Sequence, residues 1–346
     1  MRRLLLTCST LGLLATPALH AEELKVVSTV KPLTMIVQEL TEGVTSTETL
    51  LPAGASPHDY ALRPSDVRKL DEADLVIWVG PELERFLTKV IDGKDNVLTL
   101  TAQESINFRH YGDAHDEHDH DDHEGHDHDK HAHDDHEGHD HDKHDHDDHE
   151  GHDHDKHAHD DHDDHGHDDH HGHSHEGIDP HLWLGPEQAV QAAQVITEKL
   201  ISVAPANKEK FEQNLANFSA EVRSTVASIE QTLTPVSDRG YFVFHDAYGY
   251  FEEHFGLNNL GHFTVEPDRR PGAKTLISIR NSLKDQHAKC VFSEPQFSPA
   301  VVDSVARGTG VNIGTLDPLA TEIEYGQGSY VEFLNQLSQS YSQCLK

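Results

Sequence analysis

Between Asp74 and Gly80 the chain reads Leu-Val-Ile-Trp-Val, five apolar residues with no polar interruption. A strand with one wet face alternates apolar and polar residues. A continuous run marks a strand buried on both faces, the situation of a parallel sheet covered by helices. The flanking segments agree with that reading. Leu24 to Val30 reads as a strand, and Pro32 opens a helix where its missing N–H costs nothing. Thr45 to Leu51 reads as a second strand, ended by the turn Pro52-Ala53-Gly54. Pro64 to Ala73 predicts a helix, Pro81 to Val90 another, and Asn96 to Leu100 a weaker strand. Strand and helix in alternation specify an α/β fold.

A very different segment follows. Asp113 to Glu176 holds 27 of the 62 acids, 3 of the 27 basic residues and 25 of the 33 histidines. Its core is a 13-residue repeat starting at His120, His133 and His146, with a decayed copy at His159. No residue in the repeat can build an apolar core, so the segment is expected to be a disordered loop when free of metal. The formal net charge of −35 is concentrated there. It argues against nucleic acid and anionic membrane as partners, since both select clustered positive charge.

Order is expected to return at Ile178. Pro186 to Val203 reads as a helix, and Asn207 to about Thr234 as a much longer one. In the latter Phe211, Leu215, Phe218, Val222, Val226, Ile229 and Leu233 recur every three or four residues, one unbroken apolar stripe. Such a helix suits a rigid connector. Beyond it the α/β pattern repeats. Strands are expected at Tyr241–Phe244, Asn259–Val265, Ala288–Ser293 and Val311–Leu316. Helices are expected at Ala247–Phe255, Gly272–Gln286, Pro299–Gly308 and Ser329–Cys344. The expected organisation is a first lobe from residues 22–112 and 177–205, the loop 113–176, a linking helix 206–235 and a second lobe 236–346. Right-handed crossovers make both sheets parallel.

The first residues read as a secretory signal. Arg2 and Arg3 precede the mostly apolar Leu4–Ala15, and Ala18-Leu19-His20-Ala21 offers cleavage after Ala21. The apolar run is too short to span a bilayer, which takes about 20 residues. The mature chain is expected in the periplasm, with no segment inserted in the membrane. Cys8 leaves with the signal, and Cys290 and Cys344 remain in an oxidising compartment, where they are read as one disulfide. Their spacing does not suit a zinc ribbon.

Three histidines outside the repeat stand at or near strand ends or in short tight segments. His58 lies in Ser56-Pro57-His58-Asp59-Tyr60, His181 in Asp179-Pro180-His181-Leu182-Trp183, and His245 follows Tyr241–Phe244. Asp317 ends a strand before Pro318. Ligands of open parallel sheets bind outside the carboxyl ends of the strands. Two lobes joined by one helix would bring those ends face to face across a cleft. Three imidazoles and a carboxylate there suit tetrahedral Zn²⁺ better than Mn²⁺ or Mg²⁺. Water is the alternative to Asp317. Glu294 also ends a strand, as a structural residue, a ligand orienter or a partner contact. Tyr60 and Trp183 read as cleft wall. His110, His254, His262 and His287 read as structural or solvated.

The stretches around these histidines resemble the zinc-binding proteins of ABC transporters, a family of metal-binding solute-binding proteins. Leu51–Tyr60 with Arg63-Pro64-Ser65-Asp66, His181-Leu182-Trp183-Leu184, Phe244–Phe251 and Gly314–Leu319 are similar to four motifs of that family. The resemblance covers nearly all of residues 24–346, and an acidic histidine-rich insertion between the first two ligands is itself typical. It implies two α/β lobes bridged by a long helix. It also implies Zn²⁺ as bound cargo, an inner-membrane ABC permease as partner, and His58, His181 and His245 as ligands. Some members place a glutamate directly before the first histidine, where this chain has Pro57.

Three functions compete at this level. Capture and handover of zinc by a monomeric binding protein is the first. A zinc enzyme is the second, since three histidines and an open position also describe catalytic zinc. No evident base or nucleophile accompanies them, and ligands split between lobes suit capture and release. A periplasmic zinc buffer or chaperone without a dedicated permease is the third. In either binding role the repeat would take up further zinc weakly, as collector or as sensor.

Overall fold

The computed structural model describes residues 24–111, 177–264, 267, 271–285 and 288–346. The signal segment and the histidine-rich loop lie outside the described residues.

The first sheet has the order β2-β1-β3-β4, all parallel. It is built from β1 (Val26–Ser28), β2 (Thr47–Thr49), β3 (Leu75–Trp78) and β4 (Val97–Thr99). β3 is buried throughout, as a two-face-covered strand must be. α1 (Lys31–Thr41) and α2 (Pro64–Glu72) carry prolines in their first turns. Asp66 in α2 accepts the Arg63 N–H at 2.8 Å and the Tyr60 hydroxyl at 3.0 Å, which pins the loop between β2 and α2. The helix expected at 81–90 is a correction. Its first half is a turn closed on Gly80, then a 3₁₀ turn (Arg85–Leu87), and only α3 (Thr88–Ile91) is α-helical. The cause is Glu84, whose buried carboxylate folds back to accept the Val79 and Gly80 N–H groups at 3.0 and 3.1 Å and the Thr29 hydroxyl.

After α4 (Pro186–Val203) and α5 (Lys208–Leu233) comes the second sheet, order β6-β5-β7-β8 and again all parallel. Its elements are β5 (Tyr241–His245), α6 (Gly249–Phe255), β6 (Asn259–Thr264), α7 (Ala273–Asp285), β7 (Cys290–Ser293), α8 (Ala300–Ala306), β8 (Asn312–Thr315) and α9 (Ser329–Leu345). Among the described residues no helix is long and apolar enough to cross a membrane.

The stripe on α5 does what its periodicity implied. Phe211, Phe218, Val222, Ile229 and Leu233 are buried, with Leu215 and Val226 at the margin. At about 1.5 Å per residue the 26 residues span roughly 39 Å. The helix is not the sole link between the sheets. α9 packs on α1, α5 and β8, so one apolar core runs from Val26 through Phe211 to Tyr341. Polar contacts reinforce this seam. Tyr330 donates to the Trp183 carbonyl at 2.8 Å, Trp183 Nε1 to the Pro318 carbonyl at 2.8 Å, and Lys31 Nζ to the Thr321 carbonyl at 2.9 Å. A smaller core around Phe244, Phe263 and Val291 fills the other face of the second sheet.

Cys290, opening β7, is bonded to Cys344 in the last turn of α9, with their Cα atoms 5.8 Å apart. Gly314 makes room for the bridge: a Cβ there would lie 2.9 Å from Cys344 Sγ and 2.7 Å from the Phe292 ring. Closing a separation of 54 residues is worth about 4 kcal/mol in the chain-entropy model. Thiol titration of the mature chain, denatured without reductant, should therefore find no free thiol. Two reactive thiols would contradict the bridge.

Candidate metal centre

Each of the three histidines is placed by its own local structure. His58 sits in the β2–α2 loop after a turn that needs Gly54 at φ 76°. The loop is held at its far end by Tyr60 on Asp66 and by packing of Tyr60 on Phe86, ring centroids 5.6 Å apart. His181 follows a short antiparallel bridge between His110 and Ile178 and precedes the 3₁₀ turn Leu182–Leu184. It is buried, as is His245, the last residue of β5.

The three rings converge. Their centroids are 5.4 Å (His58–His181), 5.0 Å (His58–His245) and 4.8 Å (His181–His245) apart. One ring nitrogen from each falls within 4.8 Å of the other two. His58 Nε2 and His181 Nε2 are 3.3 Å apart, about the nitrogen–nitrogen edge of a tetrahedron with Zn–N bonds of ~2.0–2.1 Å. His245 Nε2 is buried and has no hydrogen-bond partner among the described residues, a lone pair or N–H that a buried polar atom rarely leaves unused without a ligand.

Carboxylates stand behind two of the rings. Asp179 Oδ1 accepts the His181 backbone N–H at 3.0 Å and faces Nδ1 at 2.8 Å. With the proton on Nδ1, Nε2 is left as a lone pair toward the other imidazoles. Glu294 Oε2 lies 3.7 Å from His245 Nδ1, while Oε1 accepts the Tyr248 hydroxyl at 3.1 Å. Burial pushes the Glu294 carboxyl up to about 8. A cation arriving at the imidazoles favours its ionised form. Burial, then the neighbouring imidazoles, hold His58 and His245 well below the ordinary imidazole range, so both are neutral donors at pH 7.

A family model, the periplasmic zinc-uptake complex component A (ZnuA), matches residues 26–344. The high-affinity zinc uptake system protein ZnuA of Yersinia pestis is 44% identical over 337 residues, covering 96% of this chain and 95% of the relative. Its counterpart in Haemophilus influenzae is 44% identical, covering 100% and 99%. The chain belongs to the zinc-uptake component A family. Among solved structures, a crystal structure of ZnuA superposes with a TM-score of 0.68 at 20% identity, covering 94% of this chain and all of that one. A 138–173 deletion mutant of ZnuA with zinc bound gives 0.67 at 20% identity, which at that identity speaks for the fold.

In this family member Asp317, expected as the fourth ligand, is not brought to the histidines. Its Oδ1 accepts Gln296 Nε2 at 2.7 Å and the Leu319 N–H at 3.1 Å, and its Oδ2 accepts the Thr321 N–H. The carboxylate closes a turn that carries Ala320 in the left-handed region, φ 52°. That service occupies both oxygens. Trp183 does form cleft wall, its ring 5.4 Å from that of His181. His262 pairs with Asp246 at 3.5 Å and His254 packs on Phe255; His287 lies outside the described residues. Asp179 is not among the sequence candidates. The Asp-Pro-His spacing was its one signal, since a carboxylate two residues before an imidazole can fold onto Nδ1.

Zinc needs the neutral imidazole. Protons compete only once pH falls through the pKa of the folded, metal-free protein, and for His58 and His245 that lies below the usual ~6.5. The affinity lost to protonating these two histidines should therefore appear only below about pH 6.5, always as weakening with falling pH. Chelator competition between pH 5 and 8 measures it, and a gain in affinity on acidification would contradict the assignment.

Proposed function

We propose that His58, His181 and His245 together hold one Zn²⁺ between the two sheets, with water completing the tetrahedron. As a zinc-uptake component A, the protein is the periplasmic zinc-binding component of a zinc ABC transporter, and Zn²⁺ is its cargo. The convergence of three ring nitrogens, one of them buried and without a partner among the described residues, carries the ligand assignment. His58 and His181 come from the first-sheet half of the chain and His245 from the second. Separating the halves therefore removes a ligand, which suits release to a permease better than turnover. That arrangement favours a binding protein over a zinc enzyme, acting as a monomer without nucleic acid. The histidine-rich segment 113–176 supplies none of the three ligands; it adds weaker zinc sites as collector or sensor.

The test is chelator competition on the full chain and on a chain lacking 113–176, each with His58→Ala, His181→Ala or His245→Ala. Each substitution should weaken the tight site by about 100-fold or more, in both backgrounds. The deletion alone should leave that site intact and lower zinc stoichiometry from several to about one per chain. Three alanine variants with wild-type affinity would refute the ligand set. A deleted chain without tight zinc would move the function to the repeat.

A further inference from the structure

The two chain segments that flank the histidine-rich stretch are tied to each other and to the metal centre. Tyr111 N–H donates to the Gly177 carbonyl at 3.0 Å, and Asp179 N–H to the Arg109 carbonyl at 2.8 Å, on either side of the His110–Ile178 bridge. Arg109 sits at the base of this stem, its side chain 15% exposed. Its Nη1 lies 3.2 Å from Asp179 Oδ2 and its Nε 2.5 Å from Glu253 Oε1 on α6. Its backbone N–H donates to the Tyr250 hydroxyl at 3.0 Å, which donates in turn to the Asp179 carbonyl at 2.7 Å. The guanidinium lies against Gly249, where a Cβ would come within 2.4 Å of Cζ and Nε.

These contacts divide the labour of one buried carboxylate. Asp179 is fully buried; Oδ1 serves His181 and Oδ2 serves Arg109. A buried carboxylate that loses its cationic partner is left uncompensated and turns toward whatever donors remain. The orientation of the His181 ring depends on that carboxylate. We propose that Arg109 is a positioning residue of the zinc site. It holds Asp179, and through it His181, while its second arm on α6 registers this ligand against His245, four residues before α6 begins. This inference rests on His181 being a ligand.

The experiment uses the full mature chain, with zinc affinity from chelator competition and ligand geometry from the visible spectrum of the Co²⁺ form. Arg109→Gln should weaken zinc by about tenfold, the low end for loss of an outer-shell partner, and alter the Co²⁺ bands. Arg109→Lys keeps the charge but not the fork. It should recover most of the affinity while leaving a residual spectral change. Gly249→Ala, which displaces the guanidinium without changing its charge, should move affinity and spectrum in the same direction as Arg109→Gln. If Arg109→Gln does not fold, Gly249→Ala carries the test. Wild-type affinity and Co²⁺ bands in these folded variants, alongside a His181→Ala control that has lost the tight site, would overturn the role of Arg109. A His181→Ala control that keeps tight zinc would overturn the ligand reading instead, and this inference with it.

Discussion

Ligands from two separate sheets meet only if the sheets are held in register, and the seam of α5 and α9 does this. The apolar stripe on α5 buries against α1, α4 and α9, so the core of the first half continues into the second. The hydrogen bonds between Tyr330, Trp183 and Pro318 sit directly behind His181 and the turn closed by Asp317. A buried apolar seam resists shear because every sliding motion opens voids in a close-packed interior. The carboxyl ends of β2 and β5 therefore present His58 and His245 to one point.

At that point the electrostatics disfavour a bound proton. Burial and mutual proximity disfavour the imidazolium form of His58 and His245. The buried carboxyl groups of Asp179 and Glu294 stand beside Nδ1 of His181 and His245. A divalent ion held there would satisfy the lone pairs and the carboxylates together, which a single proton cannot do.

Much of this was legible in the residues. The apolar run at β3 announced a two-face-buried parallel strand, and the spacing of Phe211 to Leu233 announced the long helix. A strand end marked His245 and short tight segments marked His58 and His181 as candidates, because such positions face the carboxyl side of the sheets. What stayed hidden depended on single side chains reaching across the fold. Glu84 broke an expected helix by capping the turn at Gly80. Asp317 is held by backbone donors within its own turn, invisible until that turn is seen. Arg109 gained its place from an α6 glycine 140 residues away in the chain. No local pattern encodes such a pairing. The packing of α9 on α1 was hidden for the same reason.

The proposed site shares one metal between nitrogens from both halves of the chain. A crystal structure of the protein loaded with one equivalent of Zn²⁺, with anomalous data at the zinc edge, addresses it directly. A single strong anomalous peak is expected about 2.0–2.1 Å from one nitrogen each of His58, His181 and His245. A strongest peak elsewhere, or one bound by ligands from one half alone, would contradict it.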